Sequence, residues 1–461
     1  MSQTNFSTLN LKPDLLDNLD TLGYQTMTPI QQQSLPYVLG GADLIAQGQT
    51  GSGKTAAFGL GLLQGLDVKA FKVQSLVLCP TRELADQVAK EIRRLGRSIQ
   101  NIKVLTVCGG MPFGPQISSL QHGAHIVVGT PGRIEEHLRK ATLKLDALST
   151  LVLDEADRML EMGFQSALDA IVEKTPADRQ TLLFSATFPE QIKAISKRIL
   201  KKPEHVQVAS THDDNSIQQH LYKVDNDTDR LTAARLLLLQ YSPTSSVIFC
   251  NTKKETQKVA DALYGYGFAA QALHGDLEQR DRDQTLVRFA NKSIAVLVAT
   301  DVAARGLDID SLDAVINYHI AHDADVHVHR IGRTGRAGNK GMAFTLFDET
   351  EKYKVDMLEA YLNQSITIEK LPSLKLLEKK PAKASMVTLL INAGKKQKVR
   401  AGDILGALTG ENGIDGKQVG KIQLFDNRAY VAVTRSAAKL AFKKFDEGKL
   451  KGRSFRVRRL G

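Results

Sequence analysis

Eight consecutive residues, Gly48-Gln49-Thr50-Gly51-Ser52-Gly53-Lys54-Thr55, have the composition and spacing of a phosphate cradle. The glycines let backbone N–H groups face phosphate oxygens, and a helix starting just after them favours anions at its N-terminus. In that frame Lys54 reaches the β- and γ-phosphates of a nucleotide, and the Thr55 hydroxyl binds Mg²⁺. Roughly 100 residues later the apolar run Leu151-Val152-Leu153 ends in Asp154-Glu155-Ala156-Asp157. Adjacent carboxylates at the C-terminal edge of a strand are costly unless they face a cation or handle a proton. Asp154 is therefore the natural Mg²⁺ partner, and Glu155 the candidate to orient and deprotonate an attacking water. Together the two clusters imply a domain that hydrolyses a nucleoside triphosphate.

A third cluster, His329-Arg330-Ile331-Gly332-Arg333-Thr334-Gly335-Arg336, spaces three arginines three residues apart among glycines. This suits cations delivered to developing phosphate charge better than it suits a structural helix. No phosphate cradle accompanies these arginines in their own half of the chain. If they serve the nucleotide, hydrolysis requires two domains to close on each other.

The elements that must position these groups follow a regular alternation. Ala42–Gln47, Ser75–Cys79, Lys103–Cys108, His125–Val128, Thr150–Leu153 and Thr181–Phe184 read as buried strands separated by amphipathic segments. That is the rhythm of a parallel sheet covered by helices on both faces. After the polar stretch Ser210–Ser216 it resumes with Ser246–Cys250, Ala269–Leu273, Ala295–Ala299, Ala314–Tyr318 and Met342–Phe347. We read two α/β domains, 1–211 and 212–370, as possible variants of one architecture. A Pro- and Lys-rich linker at 371–384 and a small module at 385–461 follow. In the module Met386–Asn392, Lys421–Phe425, Arg428–Val433 and Ser454–Val457 read as strands, and Gly402–Thr409 and Ser436–Glu447 as helices. That order suits a small α+β fold of the RNA-recognition type.

Composition narrows the function further. The 461 residues are 42% hydrophobic and 24% charged, ordinary for a folded globular chain. No apolar run is long enough to span a bilayer. The N-terminus lacks the order of a secretory signal. The three cysteines, Cys79, Cys108 and Cys250, form no CxxC pair, so neither a disulfide framework nor a zinc knuckle is expected and a cytoplasmic setting fits. Residues 385–461 hold 17 Lys and Arg against 6 Asp and Glu, a net of +11 that equals the net charge of the whole chain. A folded basic module of this kind points to a polyanion partner.

With these motifs in this order, the chain resembles the DEAD-box RNA helicases from about Phe6 to Gly338. Gly23-Tyr24 and Thr28-Pro29-Ile30-Gln31 resemble the motif with which that family reads adenine. The resemblance implies two tandem RecA-like parallel-sheet domains, ATP as substrate with Mg²⁺, and an RNA partner. It gives Gln31 a hydrogen bond to adenine and Phe6 a stacking contact. Pro80-Thr81-Arg82-Glu83-Leu84, Gly109-Gly110 and Thr130-Pro131-Gly132-Arg133 resemble the family's RNA-contacting motifs, and with them Pro80, Thr81, Arg82, Gly110, Thr130 and Arg133. Ser185-Ala186-Thr187 resembles the motif that couples nucleotide state to RNA, with Asp157 beside it. In the second domain the resemblance assigns Thr252, Arg282 and Thr300 to RNA and Asp308 to the ribose. It makes Arg333 and Arg336 the γ-phosphate fingers, and His329 and Arg330 part of the coupling between ATP and RNA.

The last 77 residues resemble the RNA-recognition-motif-like domain of a bacterial branch of that family that targets 23S rRNA in assembling large subunits. Only Tyr430 stands at a base-stacking position, so RNA is expected mainly on Lys395, Lys396, Lys398, Arg400, Arg453, Arg456, Arg458 and Arg459. The expectation is thus an RNA helicase acting on 23S rRNA in pre-50S particles, a monomer with no membrane or DNA partner. The alternatives are a DNA helicase or translocase on the same scaffold, and an ATP-dependent RNA clamp or RNP-remodelling protein without 23S rRNA specificity. The adenine motif and the basic module argue against DNA; Glu155 and Arg336 argue against a clamp that does not hydrolyse ATP.

Overall fold

The structure is a computed structural model and describes residues 5–49, 51–208, 217–304, 312–335, 340–362 and 365–460. Of the expected site residues, Thr50, Asp308 and Arg336 lie outside these, as does the polar stretch at 210–216. Seven strands form the first sheet: β1 (Leu44–Gln47), β2 (Ser75–Leu78), β3 (Val104–Val107), β4 (Ile126–Gly129), β5 (Thr150–Asp154), β6 (Gln180–Ser185) and β7 (Glu204–Gln207). Their order is β3-β4-β2-β5-β6-β1-β7, and every pairing is parallel. Successive side chains on each strand enter opposite cores: Val77 and Val152 on one face, Leu76, Leu78, Leu151 and Leu153 on the other. Burial on both faces explains why these strands are continuous apolar runs rather than alternating ones.

The second sheet comprises β8 (Ile217–Lys223), β9 (Ser246–Phe249), β10 (Ala270–Leu273), β11 (Val296–Ala299), β12 (Ala314–Asn317), β13 (Gly341–Phe347) and β14 (Ile368–Glu369). Its order, β10-β11-β9-β12-β13-β8-β14, is that of the first sheet shifted by seven strands, and it too is parallel throughout. The two halves are therefore versions of one architecture. Strands β7, β8 and β14 were not expected from the sequence. Ile217–Lys223 reads Ile-Gln-Gln-His-Leu-Tyr-Lys, with no apolar run, and β7 and β14 are short sheet edges.

Four antiparallel strands make the third sheet: β15 (Met386–Ile391), β16 (Val419–Leu424), β17 (Ala429–Thr434) and β18 (Val457–Leu460), in the order β16-β17-β15-β18. Its last strand begins at the end of the segment Ser454–Val457 read from the sequence. Helices Ala401–Thr409 and Ala438–Asp446 cover one face around Leu389, Ile391, Val431 and Val433. The chain falls into two compact units, one built on the first sheet and one holding the second and third. Among the described residues no helix is long and apolar enough to cross a membrane. All three cysteines are free and buried.

Candidate functional site

Because β1, β5 and β6 are neighbours, their C-terminal ends bring three loops together. The Gly48 N–H donates to the Ser185 carbonyl at 3.0 Å, tying the phosphate cradle to the end of β6. Gly51 and Gly53 hold φ of 85° and 96°, left-handed values that glycine adopts without a Cβ penalty. Helix Lys54–Gln64 starts directly after them, with Thr55 in its first turn. Gly48, Gln49 and Ser52 line the turn, the Ser52 hydroxyl donating to the Gln49 carbonyl at 2.8 Å. The Lys54 side chain is buried, and its ammonium donates to the Gly48 carbonyl at 2.8 Å.

Asp154 ends β5 fully enclosed, and burial, opposed by the nearby Lys54 and reinforced by Glu155, lifts its carboxyl to about 7. Glu155 is buried beside it with φ 52° and ψ 53°, a left-handed backbone that heads helix Ala156–Glu161. Asp157 Oδ2 accepts from the Thr187 N–H at 2.9 Å and from its hydroxyl at 2.8 Å. Burial pushes the Asp157 carboxyl up, but Arg158 and those two bonds draw it, on balance, below the usual range. The Ser185 hydroxyl accepts from the Asp157 N–H at 3.4 Å. Thus Asp157, Ser185 and Thr187 form one chain of bonds that also reaches Gly48.

Gln31 joins this cluster from helix Pro29–Leu39. Its Oε1 accepts from the Thr28 N–H at 2.9 Å, and its Nε2 donates to the Gly53 carbonyl at 3.1 Å. A Cβ built on Gly53 would lie 2.4 Å from that Nε2, so a glycine is required for Gln31 to sit there. Phe6 is buried and meets the edge of Tyr24 at 5.9 Å. Gln31 is therefore bonded to the cradle itself, a link the sequence did not reveal.

These residues suit a magnesium–nucleotide. Glycine N–H groups at a helix start supply anion donors, and Lys54 supplies a buried cation. Asp154 is a buried carboxylate whose charge a cation would stabilise. Mg²⁺ keeps several waters and takes one or two protein ligands, a demand that Asp154 and the Thr55 hydroxyl could meet.

The other end of the sheet carries a different site. Strands β3, β4 and β2 are adjacent, and their following loops bond to one another. Pro80 leads into Thr81, which caps helix Arg82–Leu95, its hydroxyl accepting from the Leu84 N–H at 3.2 Å. The Arg82 guanidinium donates to the Gly109 carbonyl at 3.3 Å, and the Gly109 N–H donates to the Thr130 hydroxyl at 3.2 Å. Gly110 has φ of 70°, and a Cβ there would meet Arg82 Nη1 at 2.4 Å. Arg133 donates to the Met111 carbonyl at 2.9 Å and to Gln116 at 3.1 Å. The motifs expected to contact RNA are thus one bonded surface, beside the nucleotide half because β2 abuts β5.

In the second domain Arg330 is 2% exposed and fully engaged. Its guanidinium donates to both Asp301 oxygens at 2.7 and 2.8 Å, to the His319 carbonyl at 2.8 Å, and to Asn251 and Asn317. Arg330 is thereby an internal hub joining the loops after β9, β11 and β12; Asp301, Asn251 and Asn317 are partners to which the sequence assigned no role. Thr252 caps helix Lys253–Gly265 and Thr300 is buried at the end of β11. Arg282 lies in the first turn of helix Gln279–Ala290. Half-buried His329 ends the helix Ala324–Ile331 with Arg330, and half-buried Arg333 follows it, its carbonyl accepting from Leu312 N–H at 3.1 Å.

On the third sheet Lys395, Lys396, Lys398, Arg400, Arg453, Arg456, Arg458 and Arg459 are exposed. Tyr430 is not: it is 2% exposed, packed against Leu390 and Val287 of the second domain. Its ring has no open face for a base.

Comparison with known proteins agrees with this layout. Residues 28–195 match the DEAD/DEAH box helicase family, 229–338 the helicase conserved C-terminal domain, and 388–459 the DbpA RNA binding domain. The chain is 54% identical over 461 residues to ATP-dependent RNA helicase DbpA of Escherichia coli, covering 99% of this chain and 100% of that one. To DbpA of Bacillus subtilis it is 36% identical, covering 98% and 99%. Among solved structures it resembles S. cerevisiae Dbp5 bound to RNA and ADP BeF3, with 30% identity and a TM-score of 0.72 over 82% of this chain and 100% of that one. With a phosphate cradle and paired carboxylates on one sheet, an arginine hub on its twin and a matching basic module, the chain belongs to the DbpA family of DEAD-box ATP-dependent RNA helicases.

Proposed function

We propose that this protein hydrolyses ATP to open short RNA duplexes locally in 23S rRNA of the assembling large ribosomal subunit. It acts as a cytoplasmic monomer, and the basic module at 385–461 selects the RNA. The supporting observation is the sharing of one sheet by two sites: β1, β5 and β6 end in phosphate and carboxylate groups, while β2, β3 and β4 end in the bonded Arg82–Gly109–Thr130 surface. The Asp157–Ser185–Thr187 chain of bonds runs from the carboxylates to the cradle.

In this reading the N–H groups of Gly51 and Gly53 and the Lys54 ammonium hold the phosphates, and Thr55 and Asp154 hold Mg²⁺. Bound there, the ion screens the phosphate charge that builds during transfer. Glu155 orients the attacking water and takes its proton, and Phe6 and Gln31 read the adenine. Beside its bonds to Gly53 and Thr28 the Gln31 amide keeps a second N–H and a second oxygen lone pair for adenine, so one side chain joins base recognition to the cradle. Arg333 and Arg336 supply positive charge to the γ-phosphate and Asp308 meets the ribose when the two domains close. That assignment is carried by the division of motifs between the halves of the sequence. Thr81, Arg82, Gly110, Thr130 and Arg133, with Thr252, Arg282 and Thr300, line the backbone of one RNA strand.

The test is Glu155→Gln in the full chain. RNA-stimulated turnover should fall by about 10²-fold or more, the usual worth of a positioned base, while ATP affinity changes less than about threefold. Turnover within a few-fold of wild type would remove Glu155 from the chemistry. A 23S rRNA fragment that stimulates ATPase no better than unstructured RNA would sink the substrate assignment.

A further inference from the structure

Behind the RNA-facing loops of the first domain lies a buried amide. Helix Phe113–Gln121 follows the Gly109-Gly110 turn, and Gln116 is the one residue of that helix that is buried. Its apolar neighbours Ile117 and Leu120 are only half-buried. A glutamine taken out of water ahead of isoleucine and leucine must repay the loss through its hydrogen bonds.

Those bonds use both ends of the amide. Gln116 Nε2 donates to the Cys108 carbonyl at 2.9 Å. Its Oε1 accepts from Arg133 Nη1 at 3.1 Å and from His137 Nε2, also at 3.1 Å. Turned over, the amide would set its N–H groups against two donors and its oxygen against a carbonyl, so only one orientation satisfies every partner. His137 is itself 0% exposed, with Nδ1 2.8 Å from the Thr142 hydroxyl. Burial, then the nearby Arg133, lowers its ring to about 4, so no second cation builds up beside the guanidinium.

Cys108 and Met111 bracket the Gly109-Gly110 turn. Gln116 holds the carbonyl of the first, and Arg133, seated on Gln116, holds that of the second at 2.9 Å. Arg133 Nε pairs with Glu136 at 3.1 Å, and its guanidinium lies 5.4 Å from the centre of the Phe113 ring, which stacks on His137 at 4.2 Å. These bonds engage Nε and both N–H groups of Nη1, which leaves the two on Nη2 for phosphate oxygens. An arginine already held this way loses little side-chain freedom when a phosphate arrives.

We infer that Gln116, backed by His137, is a positioning residue for RNA binding: its amide fixes the Arg133 guanidinium and the Gly109-Gly110 backbone at one spacing, so that the strand meets a preformed surface. Neither Gln116 nor His137 touches the strand in this scheme. It rests on the reading of Arg133 and Gly110 as RNA contacts.

The experiment measures ATPase against the concentration of single-stranded RNA in the full chain, for Gln116→Met, Arg133→Ala and the double variant. Methionine fills a similar volume without the amide's bonds. Gln116→Met should raise the RNA concentration for half-maximal turnover about tenfold, with turnover at saturating RNA within about twofold of wild type. In the Arg133→Ala background the same substitution should add less than about twofold, because its effect passes through Arg133. His137→Leu, which removes a donor from the same oxygen, should raise half-saturation about threefold, and His137→Gln, whose amide restores a donor, should reverse most of that rise. This second pair decides the matter if Gln116→Met folds poorly. Wild-type half-saturation in Gln116→Met, or independent effects in the double variant, would overturn the inference, as would equal behaviour of the two His137 variants. If Arg133→Ala itself takes up RNA like the wild type, the RNA reading of this surface falls and the positioning role with it. An impaired Arg133→Ala beside an unimpaired Gln116→Met removes the positioning role alone.

Discussion

Glu155 shows how far single residues were readable. Its type and place, the second carboxylate after an apolar strand, make it the candidate for water activation. Its backbone was not readable: φ of 52° in a non-glycine residue costs about 1–2 kcal/mol. At that left-handed residue the chain leaves β5 and enters helix Ala156–Glu161, with Asp154 and Glu155 both buried. Gly110 gives the sharper prediction. Gly110→Ala would strain a backbone at φ 70° and drive a Cβ into Arg82, displacing the guanidinium from Gly109. Single-stranded RNA affinity should fall roughly tenfold, equivalent to about 1.4 kcal/mol, with ATP affinity in the absence of RNA unchanged. Anisotropy titrations of both ligands check this. Gln31 was singled out by a motif resemblance and Tyr430 by its position along a strand, and the surroundings of each add what the sequence does not show: one bonds the cradle, the other is buried against Val287 and Leu390.

At the scale of elements, the buried strands were legible because sheets covered on both faces need continuous apolar runs. Ile217–Lys223 was not, since a strand near the sheet edge carries polar residues, and its place between β13 and β14 is set by pairing. The same strand-end region holds a buried charge network with no sequence signature. Arg230, 0% exposed, donates to Asp348 at 2.8 Å and Glu351 at 2.9 Å. Arg230→Ala would take the buried cation from Asp348 and leave Glu351 only Lys354 and His319, and should destabilise the second domain by about 3 kcal/mol in chemical unfolding. Burial raises the Glu351 carboxyl, but His319 and Arg230 outweigh it and hold the group at about 2. Its contribution is therefore full above the ordinary value of 4.5 and is lost as pH falls toward 2. Burial lowers His319, yet Glu255 and Glu351 lift it above 6.5, so its contribution is full below 6.5 and fades as pH rises through the raised value. The stability difference between wild type and His319→Gln should accordingly be greatest between about pH 4.5 and 6.5 and shrink on either side; melting curves across that range test it.

For the molecule as a whole, charge is the property that extends furthest. Most of the Lys and Arg side chains behind the +11 of the module are exposed, so its RNA affinity should be steeply salt-dependent. Replacing Lys395 and Lys396 by Ala should lower the log–log salt slope by about one for each phosphate no longer neutralised and weaken all structured RNAs alike. A change confined to one RNA sequence would instead mean that these lysines read bases.

The sequence by itself determined the chemistry and the class of fold. Phosphate cradles, paired carboxylates and buried parallel strands depend on local spacing and side-chain type, and both are written linearly. Only the tertiary structure decided which loops share a sheet end, that Arg330 is bonded within its own domain, and that Tyr430 is buried against Val287. Those facts depend on packing between segments far apart in the chain, where an apolar or hydroxyl side chain has the same letter whether it meets RNA, solvent or a neighbouring helix.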